Sequence, residues 1–270
     1  IPQLQIVYSS WSKAQGNYKI IEEVLIVLNK VKSNIKTKNS LIQKMPFNKE
    51  IRVKSLSYKY KNSKKIVFEN VSFLIKKNHI IGISGSTGCG KSTLLDCIIG
   101  LLNPTNGSIE IDDVRLNKSN IQNWQKNISH VPQFIYLADL SVRENITFGL
   151  DHSKIDRMKL IESCKIAEIY DFIKSKKNGF NYIVGEKGGR LSGGQKQRIG
   201  IARALYLDKK LLILDESTNA LDDNIEKKIL KNLKELRKDT TIIHITHKRN
   251  LIKHFDSHYS FSKNTFKKLK

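Results

Sequence analysis

The run HIIGISGSTGCGKST, residues 79–93, constrains this chain more than any other stretch. Residues 79–84 are almost continuously apolar, the pattern of a strand buried on both faces. They pass without a spacer into Gly85, Ser86, Thr87, Gly88, Cys89, Gly90 and Lys91, and KSTLLDCIIGLL from Lys91 onward has helical spacing. Strand, glycine loop and helix in direct succession let consecutive backbone N–H groups curl toward an anion at the positive end of the helix. The spacing Gly85-x4-Gly90-Lys91-Ser92, with Thr93 after it, is that of a phosphate cradle. It predicts that Lys91 reaches the β and γ phosphates of a nucleotide and that Ser92 holds Mg²⁺ through its hydroxyl.

A second apolar run, LLILDE, ends in two acids. Asp215 suits the role of accepting from Mg²⁺-bound water beside Ser92, and Glu216 is placed to polarise an attacking water as general base. IRVKSLSYKY (residues 51–60) and IVFENVSFLI (66–75) read as strands around the turn KNSKK, and TIIHIT (241–246) as another apolar strand. Residues 142–177 and 195–206 have helical patterns, and Ile225, Ile229, Leu233 and Leu236 mark one side of an amphipathic helix. Strands alternating with helices predict an α/β fold with a mostly parallel sheet. No internal repeat is present.

Of the 270 residues, 39% are hydrophobic and 27% charged, a globular balance with enough chain to bury a core. Position 1 is not Met, so a longer parent protein is one expectation. No run reaches the ~18 apolar residues of a membrane span. Cys89, Cys97 and Cys164 have neither disulfide-framework nor metal-ligand spacing, which suits a reducing cytosol. Forty-eight basic against 25 acidic residues leave a formal charge of +23. That excess invites a nucleic-acid reading, yet it is mostly Lys, spread along the chain in pairs such as Lys64-Lys65 and Lys209-Lys210. Compositional bias, or attraction to an anionic membrane leaflet, accounts for it better, and no nucleic-acid partner is expected.

One loop does not fit a nucleotide enzyme that works alone. LSGGQ, with Ser192, Gly193, Gly194 and Gln195, is a second glycine-rich turn a hundred positions beyond Lys91. With it the chain resembles the ATP-binding cassette (ABC) family over residues 51–256. The motifs recur in the family's order: the glycine loop (Walker A), LSGGQ (signature), LLILDE (Walker B), Gln133 in VPQ (Q-loop), NALD at 219–222 (D-loop) and His247 in ITHKR (switch histidine). The resemblance implies a P-loop NTPase (RecA-like) core with a parallel sheet, an N-terminal antiparallel β subdomain and an inserted helical subdomain carrying the signature loop. It implies ATP and Mg²⁺ as ligands, Tyr60 stacking on adenine, Gln133 touching Mg²⁺ or the water, His247 sensing the γ phosphate and Asp222 crossing a dimer interface. It also implies why two glycine loops exist: two cassettes, expected to be a homodimer, pack head to tail, and the signature loop of one grips the γ phosphate held by the other. In the glycine loop, Cys89 stands where Ser is commoner, and its alkylation is expected to block nucleotide binding by bulk.

Three stretches resemble exporter-type cassettes: VGEKG before the signature, IYLADLSVRENITFG after the Q-loop, and residues 1–35 as the end of a last membrane-domain helix with its linker. The expected division is 1–45 for that helix and linker and 46–270 for the ATP-binding domain, with core segments 46–133 and 201–262 around a helical subdomain at 134–200. A transmembrane domain upstream on the same chain and a place at the cytoplasmic face of the cell membrane follow. Half-transporters of the lipid-linked oligosaccharide or polysaccharide flippase type are the nearest subtype in appearance. A soluble importer subunit and a DNA-associated cassette ATPase are the alternatives; the second usually carries long coiled coils that are absent here. SHYSFSKNTFKKLK, without glycine, predicts a short or degenerate ending in place of the family's last hairpin.

Overall fold

A computed structural model describes residues 2–35, 45–61, 63, 65–218, 220–236, 239–262 and 265–270, in two units, 1–43 and 44–270. The described residues of the first unit form one helix, α1 (Pro2–Ile35). Pro2 at its start costs nothing, because the first N–H groups of a helix have no intrahelical acceptor. The helix exposes Trp11, Tyr18 and Leu25. No described helix is long and apolar enough to cross a membrane.

The second unit is built on two sheets. The smaller is antiparallel, with β2 (Ile66–Lys76), β1 (Glu50–Lys59), β4 (Asn106–Ile111) and β5 (Val114–Arg115) in that order. The larger runs β10 (Thr265–Lys268), β9 (Ser257–Ser262), β3 (Ile80–Gly85), β8 (Thr241–Ile245), β7 (Leu211–Asp215), β6 (Ile128–Val131). All its pairings are parallel except β9 with β10, and Ile83 lies opposite both Ile245 and Tyr259.

Two cores sit on the two faces of the larger sheet, and the two-residue period of each strand feeds both. Ile81, Ile83, Leu211, Ile213, Ile243 and Ile245 join the core beneath the antiparallel sheet and α2 (Lys91–Ile99). Ile80, Leu212, Leu214 and Ile242 join the other. This is why the strands read as unbroken apolar runs. Gly82 points into the second core, where a Cβ would overlap the Phe255 ring.

That second core also receives the helical segment: α4 (Val142–Ile146), α5 (Arg157–Ile166), α6 (Tyr170–Ser175) and α7 (Gly193–Tyr206). A short helix, α3 (Ile121–Gln125), buries Trp124 on the opposite side. α8 (Asp223–Leu236) presents Ile229, Leu230 and Leu233, with Ile225 half-buried; the Leu236 side chain lies outside the description.

The expectation of a degenerate ending is corrected here. β9 and β10 form a hairpin in which Phe266 faces Phe261. Phe266 also stacks on Tyr259 with ring centroids 5.1 Å apart and packs on Phe73 of β2 at 4.7 Å. Apolar alternation holds this pair together; the missing glycine misled because cross-strand aromatic packing supplies the stabilisation.

Candidate functional site

β3 delivers the chain into the glycine loop, and α2 leaves it. Gly90 has φ 105°, a left-handed value that favours glycine, and a Cβ on Gly85 would overlap the Phe261 carbonyl. The loop therefore closes tightly around Lys91, which is only 5% exposed. Its ammonium donates to the carbonyls of Gly85 (2.9 Å) and Ser86 (3.0 Å) and sits 3.4 Å from Glu216 Oε1. The cavity above has a volume of about 750 Å³ and is lined by residues 86–93 with Tyr60, Gln133 and Glu216. Ligand sites of this class span ~300–1,000 Å³.

Parallel pairing sets the two acids beside the loop. Asp215 ends β7, and the Ser92 hydroxyl donates to its Oδ1 at 3.4 Å. Burial pushes the Asp215 carboxyl above the ordinary aspartate value, against the opposing pull of Ser92 and His130. Glu216 follows at φ 47°, a costly conformation for a non-glycine residue, held by its N–H donating to the Ile245 carbonyl. Its carboxylate is a hub: His247 Nε2 lies 2.7 Å from Oε1, Gln133 Nε2 donates to Oε2 at 3.3 Å, and Lys91 approaches from below. Four residues from four separate segments thus meet within one carboxylate's reach.

Tyr60, at the rim of the cavity, is 46% exposed. Its hydroxyl pairs with Thr93 Oγ1 at 3.2 Å, and its ring packs edge-on to Tyr58, a half-open face suited to an aromatic base. Cys89 is half-buried, with its Sγ 4.0 Å from the Lys91 ammonium.

Mg²⁺ fits the donor set in a defined way. Among the described residues no group of three or more His, Cys, Asp or Glu side chains could hold a metal unaided. Ser92, Asp215 and Gln133 offer neutral and anionic oxygens beside a phosphate cradle. Mg²⁺ is commonly held in this manner, by one or two protein oxygens together with phosphate and water.

Ser192, Gly193, Gly194, Gln195 and Asp222 do not line the cavity. Ser192 is the N-cap of α7: its hydroxyl accepts from the Gln195 N–H (3.3 Å), and Gln195 Oε1 accepts from the Ser192 N–H (2.9 Å). The signature loop is therefore a preformed helix N-terminus that lies outside the cavity of this chain's own phosphate cradle. Asp222 immediately precedes α8, its carbonyl accepting from Glu226. Asn219 lies outside the described residues.

Sequence reading passed over three residues that tie this machinery together. Arg203 of α7 donates to the Asn145 carbonyl (2.7 Å) and to the Tyr136 carbonyl (3.1 Å), pinning the segment after Gln133. Gln197 accepts from the Ala220 N–H, and Lys248 donates to the Leu221 carbonyl. Their only sequence signal was polarity on otherwise buried elements.

Comparison with known proteins agrees with this geometry. A family model described as ABC transporter matches residues 68–219. The ABC multidrug transporter atrD of Emericella nidulans is 37% identical over 213 residues, 78% of this chain and 16% of that protein. The multidrug resistance protein pgp-1 of Caenorhabditis elegans is 32% identical over 256 residues, 94% of this chain and 19% of that protein. Among solved structures, a bacterial Atm1-family ABC exporter with ATP bound superposes with TM-score 0.77 at 26% identity, covering 92% of this chain and 45% of that one. The chain thus spans less than a fifth of these two curated relatives.

Proposed function

Since the chain belongs to the ABC transporter family, we propose that it is the ATP-binding and ATP-hydrolysing part of an exporter, working as one of two cassettes set head to tail. The observation that carries this reading is the Glu216 carboxylate, surrounded by Lys91, Gln133 and His247 at the mouth of the glycine loop.

The backbone N–H groups of residues 86–91 and the Lys91 ammonium bind the β and γ phosphates, and Tyr60 stacks on the adenine. Glu216 accepts a proton from the water whose oxygen attacks the γ phosphorus; the bond to the β-phosphate oxygen breaks, leaving ADP and phosphate. His247, bonded to Glu216, orients that carboxylate and faces the γ phosphate, and Gln133 fixes its other oxygen. Ser92, Asp215 and Gln133 would hold Mg²⁺, which when bound neutralises charge on the phosphate oxygens.

Ser192, Gly193, Gly194 and Gln195 of a second cassette, with its Asp222 across the interface, close over the γ phosphate. Triphosphate thereby binds the paired state more tightly than the separated one, and hydrolysis releases the pair. In this reading residues 1–45 lead from a membrane domain into the ATP-binding domain at 46–270, at the cytoplasmic face of the membrane. Relatives named as multidrug transporters and an exporter support the export direction. A lipid-linked glycan as cargo rests on the sequence resemblance alone.

Replacing Glu216 with Gln tests the assignment. Nucleotide affinity should stay within about twofold while turnover falls by about 10²- to 10⁴-fold. A variant that hydrolyses ATP at the native rate removes Glu216 from the chemistry.

A further inference from the structure

The segment that follows the acids is held from three sides. The Ala220 N–H donates to Gln197 Oε1 at 3.0 Å, and Gln197, on α7, is buried. The Leu221 carbonyl accepts from the Lys248 ammonium at 2.9 Å, and Lys248 directly follows His247. The Leu221 side chain is buried in the core shared with α7 and α8. The signature glycines back onto the same segment: a Cβ on Gly194 would come within 3.1 Å of the Ala220 carbonyl, and one on Gly193 within 3.5 Å of the Ala220 Cβ.

Lys248 is itself fixed. Its ammonium lies 2.8 Å from Glu226 Oε2, on a carboxylate with no exposed surface, and 3.1 Å from Asp223 Oδ1. Burial alone would lower its pKa, but the bonds to Glu226 and Asp223 hold it above the ordinary lysine value, so the cation persists at working pH.

Resting on the two-cassette reading, we propose that Gln197 and Lys248 are positioning residues that clamp residues 220–221 between the signature helix and the His247 segment. The two ends of this clamp serve different nucleotides. Ser192 at the head of α7 meets the partner's γ phosphate, whereas His247 meets the chain's own. With the segment bonded to both, displacement of one loop is transmitted to the other, and the two ATP sites of a pair respond to each other's occupancy. Neither Gln197 nor Lys248 touches substrate; each acts through the backbone of the clamped segment.

The test is steady-state ATP turnover of the full-length protein against ATP concentration, with nucleotide affinity and melting temperature measured alongside. Gln197→Leu removes the acceptor at similar volume. Ala220→Pro removes the donor from the other side. Each should leave nucleotide affinity and melting temperature near native, lower kcat by about two- to tenfold, the equivalent of one neutral hydrogen bond, and bring the Hill coefficient down to about 1. The double variant should lose no more than either single one, because both break the same bond. Gln197→Glu, which keeps an acceptor oxygen, should restore most of the loss. Native kcat and Hill coefficient in Gln197→Leu overturn the clamp. So do losses that add in the double variant, or that track a fall in affinity and melting temperature, which mark a merely structural role. A native protein that shows no cooperativity in ATP removes the two-cassette reading first, and the clamp with it.

Discussion

Lys91 and His244 show how far burial decides the behaviour of single residues here. The Lys91 ammonium is nearly inaccessible, and its donors are spent on two loop carbonyls and approach Glu216, so the loop and the acid share one cation. Lys91→Ala should weaken nucleotide binding by about 10- to 100-fold, the scale of a lost charged hydrogen bond, as read by calorimetry. Unchanged affinity would show that the loop is not the cradle. His244 is fully buried, 3.1 Å from Thr218 Oγ1 and 3.6 Å from Glu226 Oε1. Burial, with the nearby Lys248 charge, pulls its pKa from 6.5 to about 4. As pH falls through 6.5 the unfolded chain takes up a proton that the folded chain refuses until about 4. Stability therefore drops across that window, by up to about 3 kcal/mol from this group, and levels off below it. His254 and His258 shift in the same direction, whereas the raised carboxyls of Asp96 and Asp215 act in the opposite sense near the acid end. Thermal melts between pH 7.5 and 4.5 should show a falling midpoint that His244→Gln flattens; equal slopes in the two proteins would contradict the assignment.

Among the elements, α7 carries two loads that a pair of substitutions can separate. Ser192 caps the helix and, in the proposed pair, faces the partner's phosphate. Ser192→Ala should cost about 1 kcal/mol of stability and lower turnover. Ser192→Asp keeps a capping oxygen and suits the positive helix end, so the melting point should hold, while its charge repels the phosphate and turnover should collapse. Turnover that survives in Ser192→Asp would detach the signature loop from phosphate. The same elements show what the chain discloses in one dimension. β3, the glycine loop and α2 were legible because spacing and backbone chemistry coincide over residues 79–93. β7 and α8 were legible because unbroken apolar runs and helical periodicity each require burial. β4, β5 and β6 were not, because strands of two to six residues gain their stability from neighbours distant in sequence. The β9 and β10 hairpin was misjudged for the same reason: its aromatic partner Phe73 lies on β2, nearly two hundred positions away. At the site, the residue types of the loop were readable from spacing, whereas the meeting of Gln133, His247 and Lys91 on Glu216 is a product of sheet order, and Gln197 and Lys248 carry no motif that is theirs alone.

At the scale of the molecule, the arrangement explains why one chain owns two glycine loops. The phosphate cradle and the Glu216 cluster open into one cavity, and the signature helix N-terminus lies outside it; in the proposed pair a second molecule brings that loop to the nucleotide. The formal charge of +23 opposes self-association through repulsion, and ATP with its four negative charges lowers that penalty where the two surfaces meet. Association should therefore depend on triphosphate and weaken with ADP. The most direct measurement is the mass of the Glu216→Gln protein by sedimentation, with saturating ATP and Mg²⁺, against the same protein with ADP. A dimer with ATP, holding two nucleotides, should form and should dissociate with ADP; a protein that binds ATP to saturation and stays a monomer contradicts the shared site.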